Sequence, residues 1–315
     1  MMSTQKEQLR RREIDAVMAD LEANPWPEDI VEARVLYDRM GPPIADDIAV
    51  DKFDIGAQKA QMLTPPGADA DRVMLFLHGG GYVYGSLMSH GGMAAEISRS
   101  ARCRGLQLDY RLAPEHPHPA AVEDACEAYE WLLGSGFLPA RIALVGDSAG
   151  GGLVMAALAE LQQRGRRMPG AAVCLSPWVD LEATGESYET RQHIDPMIDR
   201  KIVALVRRLY LNGQNPRLPT ASPIHADLRK MPPLLIQVGE REVLFSDAQM
   251  LADKARASGV DVTFEEWPGM VHVWHLYYPI LSAGREAIAR VGQFIVEKTR
   301  QRTSTVDLVS ATTAL

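Results

Sequence analysis

The sequence predicts an α/β fold in which a mostly parallel sheet is covered by helices on both faces. Three observations predict it. Short β-rich runs alternate with helical patterns from about residue 73 to about 298. One run, at 142–145, stops at Gly146-Asp147-Ser148-Ala149-Gly150 and passes at once into the apolar helical stretch that begins with Leu153, Val154 and Met155. Another, at 73–77, ends on His78-Gly79-Gly80-Gly81. With 315 residues, 46% hydrophobic and 23% charged, the chain can bury a large core, and one large domain with a small accessory part suits it better than two equal domains.

In chain order, residues 5–23 carry Leu9, Ile14, Val17, Met18 and Leu21 at helical spacing, and Pro25-Trp26-Pro27 interrupts before a second helical stretch at 28–40. Acidic residues are mixed into the polar faces, so these helices are expected to pack on the domain and not on a membrane surface. Two extended segments between 46 and 64, before the turn Pro65-Pro66-Gly67, are expected to enter the sheet as a meander. Strands are then expected at 73–77, 105–110, 142–145, 171–175, 234–238 and 262–267, and helices near 88–102, 119–134, 148–163, 246–258 and 284–298.

The rhythm breaks between 175 and 234, where Ser176-Pro177-Trp178 reads as a loop and 197–211 as a helix. Insertions of that size after a strand's C-terminal end commonly build lids. The expected organisation is N-terminal helices at 1–45 contributing to a cap, a catalytic domain at 46–298 with a cap insertion at about 182–222, and a tail at 299–315, rich in Ser and Thr, that frays.

Composition and motif spacing exclude several function classes. A net charge of −8 argues against a nucleic-acid surface. Cys103, Cys126 and Cys174 lie far apart without CxxC spacing and read as buried small hydrophobes of a reduced protein. No apolar run follows Arg10-Arg11-Arg12 and none reaches membrane-span length, so a soluble, cytoplasmic protein with no membrane partner is expected. Gly79, Gly81 and Gly85 fail the GxGxxG spacing, and no GK[ST] follows a glycine loop. His116 with His118 and His272 with His275 lack a third ligand at metal-site spacing, so neither metal nor cofactor is expected.

The remaining pattern is that of acyl transfer. A strand that turns sharply at GxSxG into a helix holds its serine, Ser148, in strained backbone geometry and aims the helix N-terminus at the place where an oxyanion would form. Consecutive glycines at 79–81 let backbone N–H groups face open space, and Gly79 and Gly80 with Ala149 are the expected oxyanion donors. The base must lie downstream of Ser148. His272, just after the last strand, suits that role better than His275, which reads as a packing residue. For the acid, Glu240, Glu242 and Asp247 compete in the loop after 234–238: spacing favours Glu242, while Asp247 has an alternative as the cap of the next helix.

The segments HGGGY at 78–82, DYRLAPEHPHPA at 109–120, GDSAGG at 146–151, SPWVDL at 176–181 and GMVHVWH at 269–275 resemble the bacterial hormone-sensitive-lipase family of carboxylesterases. The resemblance spans about 28–298. It implies an α/β-hydrolase fold with an eight-stranded, mostly parallel sheet, a helical cap from the N-terminal segment and the insertion after the sixth strand, and a homodimer. By it the nucleophile falls on Ser148, the base on His272 and the oxyanion donors on Gly79, Gly80 and Ala149. The acid falls on Glu242, where the family usually has the aspartate of Asp-Pro-Leu. A glutamate has nearly the same ordinary pKa and one more methylene of reach.

The function expected is a cofactor-free serine carboxylesterase acting on small, short-chain esters through an acyl-enzyme, with Tyr82, Tyr84 and Trp178 lining an apolar cleft. A lactonase or amidase would use the same groups. A ligand-binding protein of this fold, as in the plant gibberellin receptors that resemble the family, lacks the histidine that this chain keeps at His272.

Overall fold

The computed structural model of the protein describes residues 2–23, 27 and 29–300. Most of the expected tail and of the Pro25-Trp26-Pro27 break lies outside the described residues. The chain opens with α1 (Met2–Ala23) and α2 (Ile30–Met40), the second started by Asp29, whose carboxylate accepts the N–H of Val31 and Glu32. A hairpin follows, β1 (Ala49–Ile55) and β2 (Gln58–Thr64), and then the alternating units. These run β3 (Asp69–Leu77), α3 (Gly91–Ser100), β4 (Cys103–Leu108), α4 (Ala120–Gly134), β5 (Ile142–Asp147), α5 (Ala149–Gln163) and β6 (Ala171–Leu175).

The long interval after β6 carries a single helical turn, α6 (Ser187–Thr190), and α7 (Arg200–Leu211). Asp199 caps the start of α7, and Asn212 ends it in the left-handed region. The chain returns through β7 (Leu234–Gly239), α8 (Phe245–Ala257), β8 (Val262–Trp267) and α9 (Ser282–Lys298).

The eight strands form one sheet in the order β1-β2-β4-β3-β5-β6-β7-β8, antiparallel at β1–β2 and β2–β4 and parallel elsewhere. The sequence explains the split. β5, apolar up to its last residue Asp147, and β6 have every residue buried, as a central parallel strand covered on both faces requires, whereas β1 carries Asp51, Lys52 and Asp54 at an open edge. The two faces hold separate cores: Val73, Leu75 and Leu77 point to one side of β3 and Met74 and Phe76 to the other. All three cysteines are free and buried.

Strand β4 lies two residues earlier than the alternation predicts. Pairing with β2 ends at Leu108, the Asp109 N–H closes on the Lys59 carbonyl, and Tyr110 leaves the ladder to stack on His78 at 4.2 Å. No helix among the described residues is long and apolar enough to cross a membrane.

The junction of β5 and α5 is packed backbone to backbone. A Cβ on Gly150 would run into the carbonyl oxygens of Leu77 and His78, and one on Gly146 into the Gly150 carbonyl. Gly150→Ala must therefore push α5 away from β3, and it should lower stability by about 1–3 kcal/mol in a denaturant titration. An unchanged midpoint would refute this close approach.

Candidate active site

The backbone at Ser148 is strained. Its φ of 54° and ψ of −122° lie in a region that residues with a side chain rarely occupy, at a cost of order 1–3 kcal/mol. Neighbouring chain holds it there: the Ser148 N–H donates to the Leu175 carbonyl at 2.8 Å, and its own carbonyl accepts from Trp178 N at 2.9 Å and Gly152 N at 3.1 Å. The turn thrusts Oγ off the C-terminal end of the sheet while leaving the residue only 7% exposed.

His272 enters from the loop after β8. Its Nε2 lies 2.9 Å from Ser148 Oγ and its Nδ1 2.8 Å from Glu242 Oε2. An ionised carboxylate can only accept, so it takes the Nδ1 proton and leaves Nε2 as the acceptor facing the serine. Glu242 is fully buried, and its other oxygen accepts the Ser176 hydroxyl at 2.7 Å and the Gly239 N–H at 2.6 Å. Burial pushes this carboxyl above its ordinary range, against the pull of His272, Ser176 and Gly239. For His272, burial works against the charged ring, but the Glu242 hydrogen bond and charge outweigh it, Asp195 and Asp147 add to them, and the net direction is upward.

The other candidates sit elsewhere. His275 is buried against Trp274, faces Gln237 Oε1 through Nε2 at 2.8 Å, and is pushed down by burial to about 3. Glu240 is exposed and accepts the Gly269 N–H at 2.8 Å. Asp247 does not cap a helix, contrary to the expectation. α8 has already begun at Phe245, and Asp247 Oδ2 instead accepts the N–H groups of Val179 and Asp180, both at 2.9 Å, tying the loop after β6 to α8. Burial raises its pKa to about 7, with those two donors opposing.

The glycine loop requires two corrections. Gly79 does not face the serine: its N–H donates to Asp147 Oδ1 at 3.1 Å, and its carbonyl lies 2.8 Å from His78 Nδ1. Burial pushes His78 down to about 3, so its neutral ring donates from Nδ1 to that carbonyl. The glycines that line the cavity beside Ser148 are Gly80 and Gly81, both at positive φ. Among the described residues the N–H groups of Gly80, Gly81 and Ala149 donate to no other protein group. Tyr82 does not line the cleft either. It is wholly buried, stacked on Tyr210 at 3.8 Å, and acts as packing beneath the loop.

Trp178 and Tyr84 do line the cavity, which measures about 350 Å³. Its walls include Leu21 of α1, Tyr37 and Met40 of α2, and Ile202, Val203 and Val206 of α7. Two groups escaped the sequence reading. Ser176 was visible only as loop chemistry before proline, because its φ of 47° and its bonds to Glu242 and, at 3.2 Å, from Val273 N arise from tertiary contact. Asp195 accepts Val243 N at 2.9 Å through one oxygen and Met197 N and Ile198 N through the other, joining the cavity wall to the Glu242 loop. Among the described residues, Asp180, Glu182 and His225 lie close enough to hold a cation, but Asp180 already accepts hydrogen bonds from Glu182 N and Thr184.

Residues 74–276 match a protein family described as having the alpha/beta hydrolase fold. An acetyl-hydrolase of Streptomyces hygroscopicus is 44% identical over 274 residues, covering 85% of this chain and 90% of that protein. The carboxylesterase/phospholipase LipF of Mycobacterium tuberculosis is 35% identical over 250 residues, covering 76% of this chain and 67% of its own. Among solved structures, an esterase of the bacterial hormone-sensitive lipase family superposes with a TM-score of 0.89 at 48% identity, covering 92% of this chain and 99% of that one. The esterase EstE5, in a crystal soaked with p-nitrophenyl butyrate, superposes with a TM-score of 0.88 at 43% identity, covering 91% and 98%.

The position of Asp247 carries a pH consequence. Its folded pKa stands above its unfolded one, so its contribution to stability is fully present below about pH 4 and is lost as pH rises through about 7. Asp247→Asn keeps an acceptor for Val179 and Asp180 without the charge. Its melting temperature relative to the unsubstituted protein should therefore climb between those pH values and level off above them, and a gap independent of pH would refute the assignment.

Proposed function

The chain belongs to the bacterial hormone-sensitive-lipase family of α/β-hydrolases and is a carboxylic ester hydrolase, and from that premise we propose that it works through a covalent acyl intermediate on Ser148. The observation that carries the reading is the unbroken chain from Ser148 Oγ to His272 to the buried Glu242, at 2.9 and 2.8 Å, on the wall of the apolar cavity. His272 Nε2 takes the serine proton as Oγ bonds to the ester carbonyl carbon. The electron pair that moves to the carbonyl oxygen meets the N–H groups of Gly80, Gly81 and Ala149.

Collapse of the tetrahedral species expels the alkoxide, which leaves with the proton from His272. Water then gives its proton to the same nitrogen, attacks the acyl carbon and releases the acid, restoring the serine hydroxyl. Glu242 keeps the imidazole in the tautomer with Nδ1–H and balances its charge while it is protonated. In this reading α1, α2 and the 182–222 insertion form a cap. The limited cavity volume supports short acyl chains on small esters.

The test is a series of p-nitrophenyl esters from acetate to palmitate. Turnover should concentrate between acetate and hexanoate and be lost almost entirely in Ser148→Ala. A folded Ser148→Ala with near-normal turnover would overturn the assignment. A second test concerns the base, which works deprotonated, so kcat/KM should rise with pH through an apparent pKa above the ordinary histidine value of about 6.5. Glu242→Gln removes the group that holds that value up, so the limb should move to lower pH while turnover falls on the order of a thousandfold. A limb unmoved by that substitution would remove Glu242 from the role.

A further inference from the structure

Ser148 and the glycine loop come from different strands, and the group that joins them is the fully buried carboxylate of Asp147. Through Oδ1 it accepts the Gly79 N–H at 3.1 Å. Contact there is so close that a Cβ on Gly79 would overlap the Asp147 carboxylate. A buried carboxylate is tolerated only when it is paired and hydrogen-bonded. Its partner is His90, also fully buried, whose Nε2 lies 3.2 Å from the second oxygen.

The relay continues away from the reaction centre. His90 Nδ1 lies 2.8 Å from Ser89 Oγ, which accepts the Ser86 N–H at 2.8 Å, and Ser86 Oγ donates to Asp38 of α2 at 2.6 Å. The rings of Tyr37, Phe76 and His78, with centroids 5.5, 6.2 and 5.6 Å away, flank the imidazole. A histidine serving only to fill the core would not need a carboxylate beside the nucleophile as its partner.

We infer that His90 is a positioning residue for ester hydrolysis: by donating to Asp147 it keeps that carboxylate turned toward Gly79, and so holds the N–H groups of Gly80 and Gly81 toward the oxyanion. The inference rests on the oxyanion role proposed above for those glycines. Without His90, the buried Asp147 carboxylate loses its imidazole partner and is relieved by protonation or by entry of water, and either outcome weakens its hold on the Gly79 N–H. The loop then loses its aim without losing a donor.

The experiment compares His90→Leu, which keeps bulk without a donor, with His90→Gln, whose amide can donate to Asp147. Because the oxyanion is absent from the bound ester and develops only on the way to the tetrahedral species, His90→Leu should lower kcat about tenfold to a hundredfold with little change in KM, and should weaken binding of a trifluoromethyl ketone in parallel. His90→Gln should recover most of both. If His90→Leu does not fold, Ser89→Ala decides the matter, since loss of the hydroxyl partner at Nδ1, which helps keep the donating proton on Nε2, should lower kcat several-fold with KM unchanged. A folded His90→Leu, or in its place Ser89→Ala, with unchanged kcat and ketone affinity, or a fall in melting temperature alone, overturns the inference. Ser148→Ala assayed alongside separates the two readings: if it stays active the acyl-enzyme reading fails, whereas if it is dead while His90→Leu turns over normally only the positioning role fails.

Discussion

The site depends on holding the Glu242 carboxylate in place where water does not reach. Two chain segments meet to do it. The Gly239 N–H comes from the end of β7, and the Ser176 hydroxyl from the bend after β6, which also accepts Val273 N from the His272 loop. One carboxylate thus organises three loops that the chain order keeps far apart. Its energetic cost is met by hydrogen bonds that exist only once β6, β7 and β8 are in register. Site and fold are therefore not separable here, because the buried Glu242 carboxylate is tolerable only in the finished sheet.

The same logic recurs at Asp147 and Asp247. Each is a fully buried carboxylate whose oxygens accept backbone N–H groups from a neighbouring loop. Backbone donors suit this purpose because their positions are set by the strands and carry little side-chain entropy. The three acids act as clamps around Ser148: one on the glycine loop, one on His272, one on the loop that carries Trp178.

What the sequence made legible follows from where each signal is local. The GxSxG turn, the HGGG run and the alternation of strands and helices are short-range patterns with few competing explanations, and the elements stand within a few residues of expectation. Gly79 was misread because three adjacent glycines look alike in sequence, and only the Asp147 carboxylate across a strand boundary decides which N–H stays free. Tyr82 was misread because an aromatic beside a glycine loop can face the cleft or the core, and its stacking partner Tyr210 lies on α7, more than a hundred residues on. Asp247 was misread because Asp near a helix start suggests a cap, while α8 begins two residues earlier.

Asp195 ties the wall of the cavity to the basicity of His272. Its oxygens hold the 197–198 segment that lines the pocket and the backbone of Val243 beside the acid, and its charge adds to the upward pull on His272. Selection or engineering that reshapes this wall for a different ester therefore also shifts the basicity of His272. Cavity shape and His272 basicity are pleiotropic at this position, so variants of the wall will explore a narrower range of combinations than a wall mechanically independent of His272 would allow.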